Sequence, residues 1–222
     1  MKKIKLAIVG GAGRMGQQII KETKNFKIID LVSIIENKDS NFLNKKINNI
    51  KIISDKNEGL NIADAIIDFS SPKSTLETLI YAEKLKKKLV IGTTGLTSKQ
   101  LFKIRKVSKK IPIVHAPNMS IGINLLIELV KQASKVLFNK DTSIEILDIH
   151  HKNKKDAPSG TALALGHAVT EINNLNLSNK STLKPNKNRK KQTGKINFYC
   201  KRKGNIVGDH SVIFNNKKEE IE

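Results

Sequence analysis

The stretch "IKLAIVGGAGRMG" at residues 4–16 decides the fold that this sequence predicts. Residues 4–9 form an apolar run suited to a strand that is buried on both faces. A glycine-rich turn follows, and the residues after it place Met15, Ile19 and Ile20 near helical spacing. A buried strand, a tight turn and a helix in this order are typical of the first unit of a parallel sheet covered by helices.

The same alternation continues as far as residue 118. Helices are predicted near 73–87 and 97–109, where "SPKS" and "TSKQ" supply helix starts. Further strands are predicted at 27–35, 50–54, 64–69, 88–93 and 111–116. We therefore predict an α/β fold, with a Rossmann-like, doubly wound parallel sheet in a first domain of residues 1–118.

After residue 118 the pattern changes. Residues 120–138 read as one long helix, and a strand at 143–151 and a helix at 160–172 come next. Residues 173–193 lack apolar periodicity and predict a mobile loop, whereas 194–214 predict two strands around a "KGN" turn. This order predicts a smaller α+β domain at 119–222. The final "NNKKEEIE" resembles the start of another strand, so we expect either a fragment or a naturally short chain.

Composition narrows the classes of protein. The single cysteine, Cys200, cannot form an internal disulfide, and no segment approaches the roughly 20 apolar residues of a membrane span. The N-terminal apolar run is too short for a signal peptide, so we expect a cytoplasmic protein without membrane contact. The net charge is +21, but the lysines are scattered and aromatic residues make up only 4%. We therefore expect anionic small molecules rather than nucleic acid as partners.

The glycine loop predicts a dinucleotide site. It reads as Gly11-x-Gly13-x-x-Gly16, or as Gly10-x-x-Gly13-x-x-Gly16, between a strand and a helix. Glycines allow the backbone to approach a pyrophosphate, which the helix N-terminus then holds. Glu36 ends the second predicted strand, 20 residues after Gly16, where an acid would bind ribose hydroxyls. The alternative is an ordinary tight turn between a strand and a helix.

Residues near Glu36 bear on the choice of cofactor. Glu36 would repel the additional phosphate of NADP, Asn37 is uncharged, and Lys38 could offset the repulsion. We therefore expect NADH, with NADPH as the alternative. "GTTG" at 92–95 and "APNM" at 116–119 follow two predicted strands and are expected to line the nicotinamide end, although turn chemistry alone would also account for them.

The stretch "HHKNKKDAPSGTA" at 150–162 predicts a site for proton transfer to an anion. A histidine titrates near neutral pH, so it can deliver a proton, and Lys154 can stabilise negative charge. Ser159 is a natural N-cap, and the next residues present helix amides that suit a carboxylate. Asp156 could pair with a lysine or cap backbone amides. The alternative is a polar surface loop with a generic helix cap, and the spacing predicts no metal site.

These motifs resemble the 4-hydroxy-tetrahydrodipicolinate reductase (dihydrodipicolinate reductase) family of lysine and diaminopimelate biosynthesis. The matching stretches occur in the family's order: "AIVGGAGRMG" (7–16), "IDFSSP" (67–72), "VIGTTG" (90–95), "APNMSIGIN" (116–124), "HHKNKKDAPSGTA" (150–162) and "GNIVGDH" (204–210). The resemblance implies reduction of a cyclic, unsaturated dicarboxylate by NADH or NADPH, and assembly as a homotetramer.

The resemblance also implies a role for particular residues. His150 would be the general acid, and Lys154 would stabilise the reacting anion. His151, Gly160 and Thr161 would bind the substrate carboxylates. The implied cofactor contacts are Gly10, Gly11, Ala12, Gly13, Arg14, Met15, Glu36, Gly92, Thr93, Thr94, Ala116, Pro117, Asn118 and Met119.

The chain departs from the family's pattern at three places. Asn37 stands where many members have an arginine, which argues against NADP. Residues 184–193 lack a glycine-rich pattern that members often show there. The family also continues beyond the point where this chain stops.

Three other functions compete with this one. A different nicotinamide oxidoreductase, such as an amino-acid or semialdehyde dehydrogenase, would share the glycine loop but not the histidine–lysine loop. A non-catalytic dinucleotide-binding protein would tolerate loss of His150 and Lys154, and both are present. A truncated, inactive remnant would keep every motif.

Overall fold

The computed structural model describes residues 2–116, 118–152, 154, 156–182, 193–216 and 218–222. The chain forms two compact units, Met1–Pro117 and Asn118–Glu222. None of the helices formed by the described residues is long and apolar enough to cross a lipid bilayer.

Unit 1 alternates strands and helices, as the sequence predicts. Its elements are β1 (Ile4–Val9), α1 (Arg14–Thr23), β2 (Ile29–Ile35), β3 (Lys46–Ile47), β4 (Ile50–Ile53), α2 (Lys56–Asn61), β5 (Ala65–Asp68), α3 (Pro72–Lys84), β6 (Lys88–Ile91), α4 (Ser98–Val107) and β7 (Ile113–His115). The sheet order is β3-β4-β2-β1-β5-β6-β7. All neighbours are parallel except the short edge pair β3 and β4.

Both faces of the first sheet are covered because β1 carries apolar residues on each side. Ala7 and Val9 pack with residues of α2, α3 and α4 in one core. Leu6 and Ile8 pack against Ile20 of α1 in another. The sheet is therefore doubly wound, which confirms the predicted fold class. The sequence analysis did not predict β3 or α2.

Unit 2 is an α+β unit built around a central strand. Its elements are α5 (Ile121–Leu137), β8 (Ser143–His150), α6 (Gly160–Ile172), α7 (Leu177–Lys180), β9 (Ser181–Thr182), β10 (Ile196–Arg202), β11 (Asp209–Asn215) and β12 (Glu220–Ile221). The sheet order is β12-β11-β8-β10-β9. One face packs against α5 and α6 around Ile144, Ile146 and Phe198.

One expectation for unit 2 needs correction, and one is met with a pairing that the sequence did not show. Residues 173–193 were expected to form a loop, but α7 and β9 lie within them, and Leu177 is buried in the core. The part at 183–192 lies outside the described residues. The two strands around the "KGN" turn do exist, but β8 lies between them and pairs with both. They do not form a hairpin because each gains a partner on the apolar strand β8.

Candidate active site

The glycine loop lies at the carboxyl end of β1. Gly10 has a φ of +81°, in the left-handed region that glycine reaches without strain. A Cβ atom on Gly16 would lie 2.1 Å from the carbonyl oxygen of Gly10, so α1 approaches the loop too closely for any side chain there. Gly13 is the N-cap of α1, and its side of the loop is exposed. This tight, open helix start fits a pyrophosphate.

Glu36 lies against the same loop. It follows β2, and its Oε1 atom accepts a hydrogen bond from the backbone N–H of Ala12 at 2.7 Å. Its Oε2 atom accepts a second one from the N–H of Asn37 at 3.3 Å. Asn37 and Lys38 are exposed. An acid held beside the phosphate loop is the arrangement that ribose binding requires, so these residues fit a dinucleotide.

A buried polar network fixes the loop after β6. Asp68 is fully buried at the end of β5, and its Oδ1 atom accepts hydrogen bonds from the N–H and hydroxyl of Ser70 and from the hydroxyls of Thr75 and Thr93. The Thr93 hydroxyl therefore faces the interior, whereas Thr94 is exposed. Of the two threonines, Thr94 presents its side chain to solvent, and Thr93 anchors the loop. The sequence analysis assigned no role to Asp68.

The "APNM" segment follows β7. Ala116 donates a backbone hydrogen bond to the Ile91 carbonyl of β6 at 3.1 Å, and Pro117 lies outside the described residues. The side-chain amide of Asn118 donates to the hydroxyl of Thr161 at 3.3 Å. Met119 is exposed. Asn118, an expected cofactor contact, thus touches Thr161, an expected substrate contact.

In unit 2, strand register gathers charged side chains around His150. Asp148 and His150 lie two residues apart on β8 and share one face. His210 of β11 pairs with Asp148, and Arg202 of β10 pairs with His150. Because paired residues in neighbouring strands point to the same face, these four side chains form one cluster.

Asp148 is the fully buried centre of this cluster. Its Oδ1 atom lies 2.9 Å from Nδ1 of His150 and 3.4 Å from Nε2 of His210. Its Oδ2 atom accepts hydrogen bonds from the Ser159 N–H at 2.8 Å and from the guanidinium of Arg202 at 3.3 Å. Burial alone would raise the pKa of Asp148, but these partners hold it well below its usual range. Asp148 is therefore an anion near neutral pH.

His150 lies at the end of β8 with about a tenth of its side chain exposed. Burial lowers the pKa of His150, and the nearby charge of Asp148 opposes this by raising it. His210, Lys154 and Arg202 add smaller contributions that lower it. The net effect is a pKa below the usual range of histidine, although the Asp148 carboxylate lies against the ring.

Lys154 belongs to the loop that leaves β8. Its ammonium lies 2.9 Å from Oδ1 of Asp156, as one of the two expected roles of Asp156 requires. Arg202 donates to the backbone carbonyl of Asp156 at 2.5 Å, which fastens the loop to β10. His151 follows the strand end and is half-buried. The expected cation thus lies on an anchored loop that begins directly after the expected proton donor at the end of β8.

The loop ends in the first turn of α6. Ser159 is the N-cap, and its hydroxyl accepts from the Ala162 N–H at 3.2 Å. Gly160 is exposed, and no heavy atom lies within 4 Å of the position of an added Cβ. Gly160 and Thr161 occupy the first turn, whose amides have no partner inside the helix. This open turn suits a carboxylate.

Two family models together match nearly the whole chain. The model described as "Dihydrodipicolinate reductase, N-terminus" matches residues 4–119, and "Dihydrodipicolinate reductase, C-terminus" matches residues 122–222.

The chain belongs to the dihydrodipicolinate reductase family.

Relatives within this dihydrodipicolinate reductase family match along the full chain. The 4-hydroxy-tetrahydrodipicolinate reductase of Pelagibacter ubique (strain HTCC1062) is 47% identical over 222 residues, which cover 100% of this chain and 84% of that protein. The enzyme of the same name from Buchnera aphidicola subsp. Cinara cedri is 41% identical, and the match covers 99% of this chain and 84% of that protein.

One solved structure agrees with this assignment, and a second shares the fold. A dipicolinate-bound dihydrodipicolinate reductase from Paenisporosarcina sp. TG-14 is similar with a TM-score of 0.74 and 25% identity, covering 99% of this chain and 86% of that one. The apo scyllo-inositol dehydrogenase from Lactobacillus casei has a TM-score of 0.63 at 13% identity, and the match covers 99% of this chain and 75% of that one. The second likeness concerns the fold alone.

The structure groups the dihydrodipicolinate reductase motifs by unit. His150, His151, Lys154, Gly160 and Thr161 lie together at the end of β8 and the start of α6. The expected cofactor residues up to Ala116 lie at the carboxyl ends of strands in unit 1. Sequence reasoning missed Asp148, Arg202 and His210. The i, i+2 spacing of Asp148 and His150 on a predicted strand was the available signal for the first.

One group of described residues could offer ligand atoms to a metal ion. Atoms of Asp148, His150 and His210 lie within 4.8 Å of one another. The guanidinium of Arg202 already pairs with the carboxylate, and the ammonium of Lys154 contributes further positive charge near His150. These cations oppose a metal ion, and the three side chains are explained by their contacts with each other. The absence of a metal remains a prediction.

Proposed function

We propose that this chain reduces 4-hydroxy-tetrahydrodipicolinate (dihydrodipicolinate) to tetrahydrodipicolinate with NADH or NADPH, in lysine and diaminopimelate biosynthesis. The observation that carries the proposal is the meeting of His150, Lys154 and the open first turn of α6 at one end of β8. A proton donor, a cation and helix amides are what reduction of a dicarboxylate needs. The full-length similarity to reductases of this name supports the same substrate.

The glycine loop and Glu36 would hold the dinucleotide. When bound, the nicotinamide supplies the hydride. The carboxylate of Glu36 disfavours a neighbouring phosphate by charge repulsion, and no cation stands at position 37. This arrangement supports NADH as the preferred cofactor, with exposed Lys38 leaving NADPH usable.

Each residue of the loop has a separate task. His150 donates the proton that completes the reduction, and Lys154 stabilises negative charge that develops during it. The amides of Gly160 and Thr161 bind a carboxylate at the start of α6, with His151 beside them. Because Lys154 is paired with the largely exposed Asp156, an incoming carboxylate can replace that partner without any core rearrangement.

The first test is the loss of NADH absorbance when freshly generated 4-hydroxy-tetrahydrodipicolinate is added, repeated with NADPH. We expect consumption that requires both enzyme and substrate, with the higher kcat/KM for NADH. A thermal melt with and without NADH accompanies it, because a ligand that binds the folded state raises the midpoint. A folded protein that binds NADH but consumes none would overturn the assigned substrate.

Variants of the loop test the assigned roles. His150→Gln should lower kcat by about 100-fold or more, because proton donation contributes on that order, with little change in NADH affinity. Lys154→Ala should lower kcat and weaken substrate binding. His167→Gln, on the exposed side of α6, is a matched control that should keep parental kinetics. Parental turnover in both loop variants would contradict the assignment.

The assembly state is a separate expectation. Family resemblance implies a homotetramer, and light scattering of the purified chain measures it directly. A mass near four times 24.7 kDa would support it. A stable monomer that retains reductase activity would contradict it.

A further inference from the structure

The reductase roles assigned above leave Asp148 without a task, although it is the most completely buried charge beside the loop. We propose that Asp148 is a positioning residue: its carboxylate holds the His150 ring with Nδ1 turned inward and Nε2 left for proton transfer, and anchors the start of α6 to β8. This inference rests on the proposed function and adds to it the residue that orients the proton donor.

The contacts around His150 distinguish its two ring nitrogens. Nδ1 is buried 2.9 Å from Oδ1 of Asp148. Nε2 faces Gly208, where an added Cβ would lie only 2.8 Å from it. A buried carboxylate favours a proton on the nitrogen it faces. Neutral His150 therefore carries its proton on Nδ1, and the protonated ring has its transferable proton on Nε2.

The geometry of this contact is electrostatic rather than an aligned hydrogen bond. Neither Oδ1 of Asp148 nor Nδ1 of His150 makes a hydrogen bond of ordinary angle among the described residues. The oxygen lies between two imidazoles, those of His150 and His210, whose centroids are 5.0 Å apart in an edge-to-face arrangement. The charge of this buried carboxylate raises the pKa of His150.

Among the described residues, the other groups whose charge affects His150 act in the opposite direction. Lys154 on the loop, Arg202 on β10 and His210 on β11 all disfavour a proton on His150, as does burial. Asp148 is the one group among these that favours it. Without its charge, His150 would lose its proton at a lower pH and would be a poorer donor near neutrality.

The second oxygen of Asp148 reaches the substrate-binding end of the loop. Oδ2 accepts the Ser159 N–H at 2.8 Å, and the Ser159 hydroxyl lies 3.3 Å from Nε2 of His210. Ser159 caps the turn that presents Gly160 and Thr161. One carboxylate thus connects the proton donor to the amides that would hold the substrate, and fixes the distance between them.

The proposal can be tested by NMR on the parent protein without measuring turnover. The chain has five histidines, so the ring nitrogens of His150 can be assigned in nitrogen–proton NMR spectra, with His150→Gln identifying its signals. We expect neutral His150 to be protonated on Nδ1. Protonation on Nε2 would overturn the proposal whether or not the chain is a reductase.

The charge is tested with Asp148→Asn. In this variant the pKa of His150 measured by NMR should fall by about one unit or more, since a near opposite charge shifts a pKa by that order. Asp141→Asn, an exposed site just before β8, is the control and should leave it unchanged. Equal titration of His150 in the parent and in a folded Asp148→Asn variant would contradict the proposal.

Kinetics then separate positioning from general stability. Asp148→Asn should lower kcat by about 10- to 100-fold, as loss of an orienting partner does, and shift the alkaline limb of the kcat profile to lower pH. In a protein that already carries His150→Gln, Asp148→Asn should lower kcat by less than about twofold. The effects of substituting two residues that act as a unit are not additive. An equal loss in both backgrounds would show that Asp148 does not act through His150.

Discussion

Gly16 shows how closely the backbone of α1 approaches the glycine loop. A Cβ there would meet the Gly10 carbonyl oxygen at 2.1 Å and the Gly11 backbone at 2.6 Å. Since backbone atoms cannot rotate away, Gly16→Ala should lower the free energy of unfolding by about 2 kcal/mol or more. It should also weaken NADH binding.

The control for this substitution is Gly122→Ala in the first turn of α5. The nearest atom to its added Cβ is the Ser120 hydroxyl oxygen at 3.8 Å. We expect Gly122→Ala to change the free energy of unfolding, measured by urea titration, by less than about 0.5 kcal/mol. Equal stability of the two variants would show that the close approach at Gly16 is relaxed in solution.

The reactivity of the single cysteine, Cys200, depends on its surroundings in the folded unit 2. Burial, together with the charge of its cross-strand neighbour Asp148, raises the pKa of Cys200 to about 11. At pH 8 roughly one molecule in a thousand then carries a thiolate. Folded protein should therefore react slowly with a disulfide reagent such as DTNB and rapidly after unfolding in guanidinium. Equal rates would contradict this environment.

At the scale of elements, helix α4 depends on a capping box. The Thr97 hydroxyl accepts from the Gln100 N–H at 3.3 Å, and the Gln100 side chain accepts from the Thr97 N–H at 2.8 Å. Thr97→Ala should lower the free energy of unfolding by about 1 kcal/mol. Thr97→Ser keeps the hydroxyl and should stay near the parent in a urea titration. Similar losses in both would mean that the cap is not what stabilises α4.

The elements that sequence predicted well carry their own local signals. β1, α5, α6 and β8 have apolar runs or helical spacing and recognisable caps, and their observed bounds agree closely with the prediction. α7 and β9 were missed because α7 packs through Leu177 into the core and β9 pairs with β10, and no local pattern reveals either contact. The strands β10 and β11 were predicted, but their pairing with β8 is a long-range choice that no local pattern shows.

The residues of the candidate site also separate into those that the sequence predicted and those that it did not. His150, Lys154 and the start of α6 are contiguous, so sequence could propose them together. Arg202 and His210 reach the cluster only through strand register, 52 and 60 residues beyond His150. Their place in the cluster depends on the order in which the strands pair in the folded sheet. The spacing of residues along the sequence does not show that order.

At the scale of the whole molecule, the net charge of +21 should accelerate capture of a dianionic substrate. Raising NaCl from about 20 to 200 mM should lower kcat/KM several-fold, because the Debye length shortens. The value of kcat itself should change less. Sucrose at equal osmolality is the control and should leave both parameters near their starting values. A kcat/KM independent of salt would mean that the charge does not steer the substrate.

The position of β8 in the middle of its sheet also has a consequence for the newly made chain. Its partners β10 and β11 are synthesised only after residues 196 and 209. On the ribosome, the loop with His150 and Lys154 therefore emerges long before Arg202 and His210 can surround it. Unit 1 can form its sheet during that interval, whereas the cluster around Asp148 cannot form before residue 210 has been made. Protease-resistant unit 1 should thus appear earlier in translation than a protected histidine loop.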